Sequence, residues 1–165
     1  MEYKLFDFDP RNLPSDFLQT IGLIIACSTQ TENLVEDAIA DLLSLKVAPA
    51  KILTTHMSMQ VRTGVLRSAA EWRWTDEETL AQFEVVVRRI EAAINDRNRI
   101  AHLTWQRDPE TGQVLTSKIR ARKGLKIDLE PVTVAALHAI AIEVYEAGID
   151  LIRFLGLRGI HSPQG

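Results

Sequence analysis

The chain has 165 residues, of which 46% are apolar and 25% are charged, and its formal net charge is −3 at pH 7. This composition is typical of a folded globular protein and excludes an intrinsically disordered chain. The length suits one domain with a sizeable core, which we place over residues 1–165. So small a net charge by itself neither favours nor excludes a nucleic-acid partner.

The chain carries no sign of export, membrane insertion or a metal site. Cys27 is the single cysteine, so no disulfide forms within the chain, and its apolar neighbours predict a buried, inert thiol. The amino-terminal residues do not resemble a signal peptide, and no segment approaches the ~18 apolar residues of a membrane span. His56, His138 and His161 show no ligand spacing among themselves or with Cys27. We therefore expect a cytoplasmic protein without membrane partner, metal or cofactor.

The first half of the chain predicts helices. Residues 1–12 are expected to form an irregular arm or a short strand. A long helix follows, with Ser15 as its predicted N-cap and apolar residues recurring at helical spacing along one face. Pro49 ends this helix or opens the next one. Residues 50–74 then predict one helix or two shorter ones.

The second half predicts two further long helices around a β insertion. Thr75 is the predicted N-cap of the first, with a capping box formed by Glu78. Residues 106–130 predict a basic β-hairpin or loop, with a turn at Pro109 and Gly112 and short strands after it. Gly156 is expected to stop the last helix. The predicted fold is an all-α bundle of four to five helices with a short hairpin or loop inserted between the last two long helices.

The helix that begins near Thr75 carries an arginine where its apolar face should continue. The positions that step by three and four along this face are Leu80, Phe83, Val87, Ile90, Ile94, Arg97 and Ala101. Removing an arginine from water costs several kcal/mol unless an anion or a polar group meets it. Asn95, Asn98 and His102 recur on a neighbouring face, so the end of this helix predicts the floor of a polar cleft or the edge of an interface.

These residues also have an interpretation without function. Arg97 could extend into solvent or pair with a glutamate of another helix. His102, near a helix C-terminus, could simply complement the helix dipole. The residues alone leave both interpretations open.

The segment RNRIAH, from Arg97 to His102, resembles the R-x4-6-H motif of the HEPN superfamily (higher eukaryotes and prokaryotes nucleotide-binding domains). In that motif a polar residue, often Asn, follows the arginine, and here the position is Asn98. In the family the motif lies near the end of a long helix of a helical bundle, with another helix to follow. The resemblance in pattern extends from about residue 15 to 155, whereas its specific part is the motif itself. Some toxin members continue the motif as H-x-Y, and here that position is Thr104.

The resemblance implies a metal-independent endoribonuclease with Arg97, Asn98 and His102 as catalytic residues. The histidine would move the proton of the 2′-hydroxyl or of the leaving oxygen, and the arginine would hold the scissile phosphate. Asn98 would position a phosphate oxygen or orient His102. The resemblance also implies a toxin or defence component, with an antitoxin protein as partner. The alternative is a non-catalytic helical bundle that binds a nucleotide or a protein.

The spacing of the motif favours a homodimer. Positions five apart on a helix of ~100° per residue lie roughly 140° apart around its axis. Arg97 and His102 of one chain therefore converge only if the helix ends or bends near Ile100. A two-fold axis offers another solution, since it gathers motif residues of both chains. Family members commonly build their site in this way, so a composite cleft is expected.

Basic residues concentrate around the predicted hairpin. The segment from Arg97 to Lys126 contains eight basic and two acidic residues, which gives it a local charge of +6. Such an asymmetry suits a phosphate backbone, and Trp105 suits stacking on a base. The predicted RNA-binding residues are Arg99, Trp105, Arg107, Lys118, Arg120, Arg122 and Lys123. The alternative is a solvated hairpin with Trp105 packed on the core.

Overall fold

The structure is a computed structural model that describes residues 6–120 and 126–159, with the backbone alone for 118–120, 126 and 127. Its elements are a 3₁₀ turn (Pro10–Asn12), α1 (Ser15–Leu42), α2 (Val47–Thr54), α3 (Met59–Arg73), α4 (Glu77–Ala101), β1 (Thr104–Arg107), β2 (Val114–Arg120), β3 (Lys126–Pro131) and α5 (Val134–Leu157). The prediction of a mostly helical bundle with a β insertion between the last two long helices is confirmed. None of the helices in the described ranges is long and apolar enough to span a membrane.

Two apolar clusters fill the bundle. The larger lies where α1, α3, α4 and α5 meet, around fully buried residues such as Leu66 and Phe83. The smaller lies at the other end of α4, around Ile100 and Leu137, and receives Trp105 from the sheet. The smaller cluster therefore fixes the sheet against the end of α4, beside the predicted site.

The close approach of α1 and α5 depends on a glycine. A Cβ added at Gly148 would lie 2.9 Å from the Thr31 hydroxyl oxygen, which is too close for any real contact. That hydroxyl donates a 2.7 Å hydrogen bond to the carbonyl of Val144, so the two helices are joined directly through buried polar groups. Asp16 near the start of α1 and Val134 at the start of α5 line the same cavity. The two helices therefore run in the same direction.

The helix starts differ from the predicted ones by a residue. Pro14, not Ser15, occupies the N-cap position of α1, and its carbonyl accepts the first helical hydrogen bonds. Asp76, not Thr75, caps α4, because its carboxylate accepts the N–H of Thr79 at 2.8 Å. A carboxylate is favoured at this place by the positive end of the helix dipole.

The end of α5 also lies beyond the predicted stop. The helix continues through Gly156 to Leu157, and a Cβ at Gly156 would meet nothing within 4 Å. Gly159 instead takes the left-handed conformation, with a φ of +68°. A glycine that ends a helix is recognised by its backbone conformation, and here that glycine is Gly159, three residues after the predicted one.

The β insertion is a three-stranded sheet rather than the predicted hairpin. Antiparallel pairing joins β1 to β2 and β2 to β3, with β2 in the middle. A bridge from Asp7 to Arg107 ties the described part of the amino-terminal arm to β1. Gly112, with a φ of +70°, lies in the turn between β1 and β2, where a turn was predicted. Four residues are too few for β1 to show an alternating pattern, so the sequence signalled only the later strands.

We expect Gly148→Ala to destabilise the protein by about 1–3 kcal/mol, because its Cβ would force α1 and α5 apart. Urea denaturation followed by circular dichroism measures the change. Gly64→Ala is the matched control, since a Cβ there meets nothing within 4 Å and alanine is the better helix former. Equal stability of the two variants would contradict the proposed close approach.

Candidate functional site

Arg97 lies half-buried near the end of α4, on the side predicted by the apolar spacing. Its Nε donates to the hydroxyl of Ser28 at 3.2 Å, and one of its terminal nitrogens donates to the side-chain oxygen of Asn98 at 2.9 Å. Ser28 is fully buried on α1, and its own hydroxyl proton goes to the carbonyl of Ile25 at 2.9 Å. Two neutral acceptors therefore hold the guanidinium across the contact between α1 and α4.

Other half-buried arginines of the bundle meet carboxylates. Arg67 donates to Glu84 and to Glu91, each at 2.7 Å, and these bonds are the largest cause that lowers the pKa of both carboxyl groups. Arg89 is likewise bonded to Glu143, at 2.7 Å. By contrast, Arg97 forms no ion pair in the ranges that the structure describes. Its positive charge is therefore not neutralised within the described chain and is free to attract an anion.

A polar cleft of about 550 Å³ opens between the start of α3 and the end of α4. The residues that line it include Ser58, Gln60, Glu91, Ile94, Asn95 and Asn98. The Glu91 carboxylate accepts from Arg67 and, at 2.8 Å, from the hydroxyl of Thr63, so its negative charge is compensated. Asn98 lines the cleft and also binds Arg97, which connects the arginine to the cleft wall.

His102 occupies the C-cap of α4, where the helix ends. Its backbone N–H donates to the carbonyls of Asn98 and Arg99, at 3.1 and 3.3 Å, and its side chain is exposed. Across the described residues the imidazole forms no hydrogen bond or ion pair, so Asn98 does not orient it in a single chain. The side chains of Arg97 and His102 are likewise not brought into contact.

Three of the predicted RNA-binding residues flank this end of α4. Arg99 is exposed and pairs with Asp96 at 3.3 Å. Arg107 is exposed on β1. Trp105 is half-buried and packs against the smaller apolar cluster, as the alternative interpretation had it. A packed indole is a poorer stacking platform than an exposed one, so the base-stacking role of Trp105 loses support.

The other four predicted RNA-binding residues belong to the β2–β3 region. Lys118 is paired in register with Asp128, and Arg120 with Lys126, on the backbone of the two strands. Arg122 and Lys123 lie outside the described residues. The described backbone therefore places Lys118 and Arg120 towards the far end of the sheet, away from the turn that joins β1 to β2.

Sequence reasoning missed Ser28 as a functional residue. Its signal was a hydroxyl directly after the apolar run that ends at Cys27, since a hydroxyl that is buried in the folded chain requires a polar partner. That partner is Arg97, 69 positions away in the sequence. The residues at the start of α3 that line the cleft were missed for the same reason, since only packing brings them to α4.

Comparisons with known proteins do not assign a function to this site. No family model, no curated protein and no solved structure matches the chain. Among the described residues no group of three or more His, Cys, Asp or Glu side chains could hold a metal ion. The function must therefore be argued from the end of α4 and its surroundings.

We expect Arg97→Met to leave the free energy of unfolding nearly unchanged or to raise it, because the bonds that it removes join a charge to neutral groups. Arg67→Met should instead destabilise the protein by about 1–3 kcal/mol, since it removes charged hydrogen bonds to two carboxylates. Urea denaturation of both variants measures the difference. An Arg97→Met protein as unstable as Arg67→Met would mean that Arg97 is a structural residue.

The same pair of variants should differ in their response to acid. The folded pKa of Glu84 and of Glu91 is lowered, so their stabilisation is present above the ordinary glutamate pKa and is lost as pH falls through the folded value. Arg67→Met removes this contribution, and its stability should depend less on pH below about pH 4.3. Arg97→Met should keep the wild-type dependence.

Proposed function

We propose that this protein is a metal-independent endoribonuclease of the HEPN type that acts as a homodimer. The observation that carries the proposal is the environment of Arg97. A half-buried guanidinium without a described carboxylate partner stands beside a polar cleft, on the same helix as the exposed histidine at its C-cap. Phosphoester cleavage is accelerated by a positive charge and a proton-transfer group at one site, and we propose that a dimer brings these two side chains together.

The chemistry follows from the RNA backbone. The 2′-hydroxyl oxygen attacks the adjacent phosphorus and loses its proton, while the bond to the 5′-oxygen breaks and that oxygen gains a proton. His102 suits either proton transfer, since its side chain is exposed at the end of α4 and imidazole is the commonest general acid and base in enzymes. Arg97 stabilises the charge that builds on the phosphate oxygens, with Asn98 holding its side chain in place. The products are a 2′,3′-cyclic phosphate and a 5′-hydroxyl.

A second copy of the chain would complete the site, because the side chains of Arg97 and His102 do not converge in one chain. Leu18 and Ile25, seven positions apart on one side of α1, are 42% and 49% exposed. Ile25 precedes Ser28 by three residues, so this apolar surface adjoins the contact that holds Arg97. A two-fold dimer that buries it would bring Arg97 and His102 of both chains to one cleft.

The second candidate function is a non-catalytic bundle that binds a protein. An open groove of about 530 Å³ runs along α3, lined by residues that include Val61, Gly64 and Trp72, and the tryptophan is 68% exposed. Exposed aromatic and aliphatic groups in one groove favour a protein contact. If the chain is a toxin of a defence system, an antitoxin protein is the partner that this groove suits.

We expect the purified protein to be a dimer at micromolar concentration by light scattering. Ile25→Asp should shift it to the monomer, because a carboxylate would be buried unpaired at the interface. Val85→Asp is the control, since Val85 is exposed on the first half of α4. A monomeric wild-type protein, or a dimer indifferent to Ile25→Asp, would contradict the composite site.

We expect labelled RNA to be cut in the presence of EDTA, leaving 2′,3′-cyclic phosphate ends, and DNA of the same sequence to remain intact. Arg97→Met and His102→Ala should each lower the cleavage rate by at least about 100-fold. His56→Ala, at an exposed histidine between α2 and α3, should keep wild-type activity. Cleavage that needs a metal ion, or that survives His102→Ala, excludes the mechanism.

A further inference from the structure

A second cavity lies on the other side of the end of α4, where the sheet meets the bundle. It has a volume of about 240 Å³, is partly open to solvent, and is lined by residues of α4, β2, β3 and α5. Ile100, Leu137 and Ile140 are among the apolar residues that line it, and the first two are buried. This cavity is separate from the cleft beside Asn98, and the proposed reaction makes no use of it.

The polar residues of this cavity stand at its walls. Arg99, on α4, has a side chain that is 57% exposed, and Asp96 supplies the one carboxylate that it meets among the described residues. Glu130 lies opposite Thr116 in the register of β2 and β3, and cross-strand partners point to the same face of a sheet. Thr116 is buried and lines the cavity, so Glu130 also lies on the face that meets the bundle.

The side-chain carboxylate of Glu130 is exposed and adds a negative charge to the wall of this cavity. Among the described residues it forms no hydrogen bond and no ion pair, and none joins it to Arg99. A cation and an anion therefore stand apart on the walls of a cavity whose floor is apolar. Small-molecule sites are built in this way, with an apolar surface for the body of the ligand and a few polar groups to orient it.

The size of the cavity limits the ligand to one aromatic heterocycle. At ~30 Å³ per water, 240 Å³ holds roughly eight water molecules, which leaves room for one nucleobase but not for a whole nucleotide. The flat face of such a ring suits branched aliphatic side chains. Its sugar and phosphate would remain outside, within reach of the exposed guanidinium of Arg99.

The carboxylate selects among the four bases. A carboxylate accepts hydrogen bonds and donates none, so it favours a base edge with two adjacent donors. Guanine offers such an edge in its ring N–H and exocyclic amino group, whereas adenine and cytosine pair one donor with an acceptor and uracil has a single ring donor. We propose that this cavity binds a guanine base of the RNA, with Glu130 on its donor edge and Arg99 on its phosphate. The inference rests on the proposed ribonuclease function and adds to it a preference for cutting beside guanosine.

Binding of GMP and AMP to the full chain, followed by NMR titration, tests the cavity without any cleavage. GMP should bind about tenfold more tightly than AMP, the difference expected for one charged hydrogen bond. Glu130→Gln should abolish this selectivity, and Arg99→Met should weaken both nucleotides alike. The controls are Glu71→Gln and Arg73→Met, at exposed positions of α3, which should bind as the wild type does.

An RNA cleavage assay distinguishes failure of the guanine site from failure of the proposed ribonuclease function. Selective GMP binding without EDTA-resistant cleavage would keep the guanine site and refute the ribonuclease. Cleavage at all four nucleotides, with GMP and AMP bound equally or not at all, would keep the ribonuclease and overturn the guanine site. If both hold, Glu130→Gln should lose the preference for cutting beside guanosine, whereas Glu71→Gln should keep it.

Discussion

The packing of α1 on α5 is the constraint on which the rest of the structure depends. Gly148 lets the two helices approach until the Thr31 hydroxyl reaches a carbonyl of α5. Thr31 lies one turn after Ser28, so the helix that is locked against α5 also carries the acceptor for Arg97. Displacing α1 would therefore move the group that fixes the guanidinium, even though the glycine is far from the motif in the sequence.

Charge is distributed unevenly along α4. In its middle, Glu84, Arg89 and Glu91 are joined to oppositely charged residues of α3 and α5, which neutralises them and ties three helices together. At its end, Arg97 has neutral partners and Arg99 has one exposed carboxylate. The ion pairs stabilise the bundle, whereas the guanidinium of Arg97 at the end of the helix has no carboxylate partner among the described residues. This division is expected where binding competes with stability.

The end of α4 also decides where the sheet lies. The helix stops at Ala101, and β1 begins three residues later with Thr104, so the sheet cannot move independently of the motif. Trp105 anchors it in the smaller apolar cluster, and the row from Trp105 through Thr116 to Glu130 crosses all three strands. The termination of one helix thus places two cavities side by side, one polar and one with an apolar floor.

The sequence by itself determined the features that repeat locally. Helical spacing predicted the bundle and the long helices, placed Arg97 on the buried side of α4, and marked the turn at Gly112. It supplied the resemblance to HEPN proteins, which remains the ground for naming catalytic residues. Tertiary structure decided the rest: β1 as a third strand, the packing of Trp105, the Ser28 acceptor, and the separation of Arg97 from His102 within one chain. The physical reason is the sequence distance between the residues that interact. Periodicity is a property of neighbouring residues, whereas Ser28 and Arg97 are 69 positions apart and come into contact only when the helices pack.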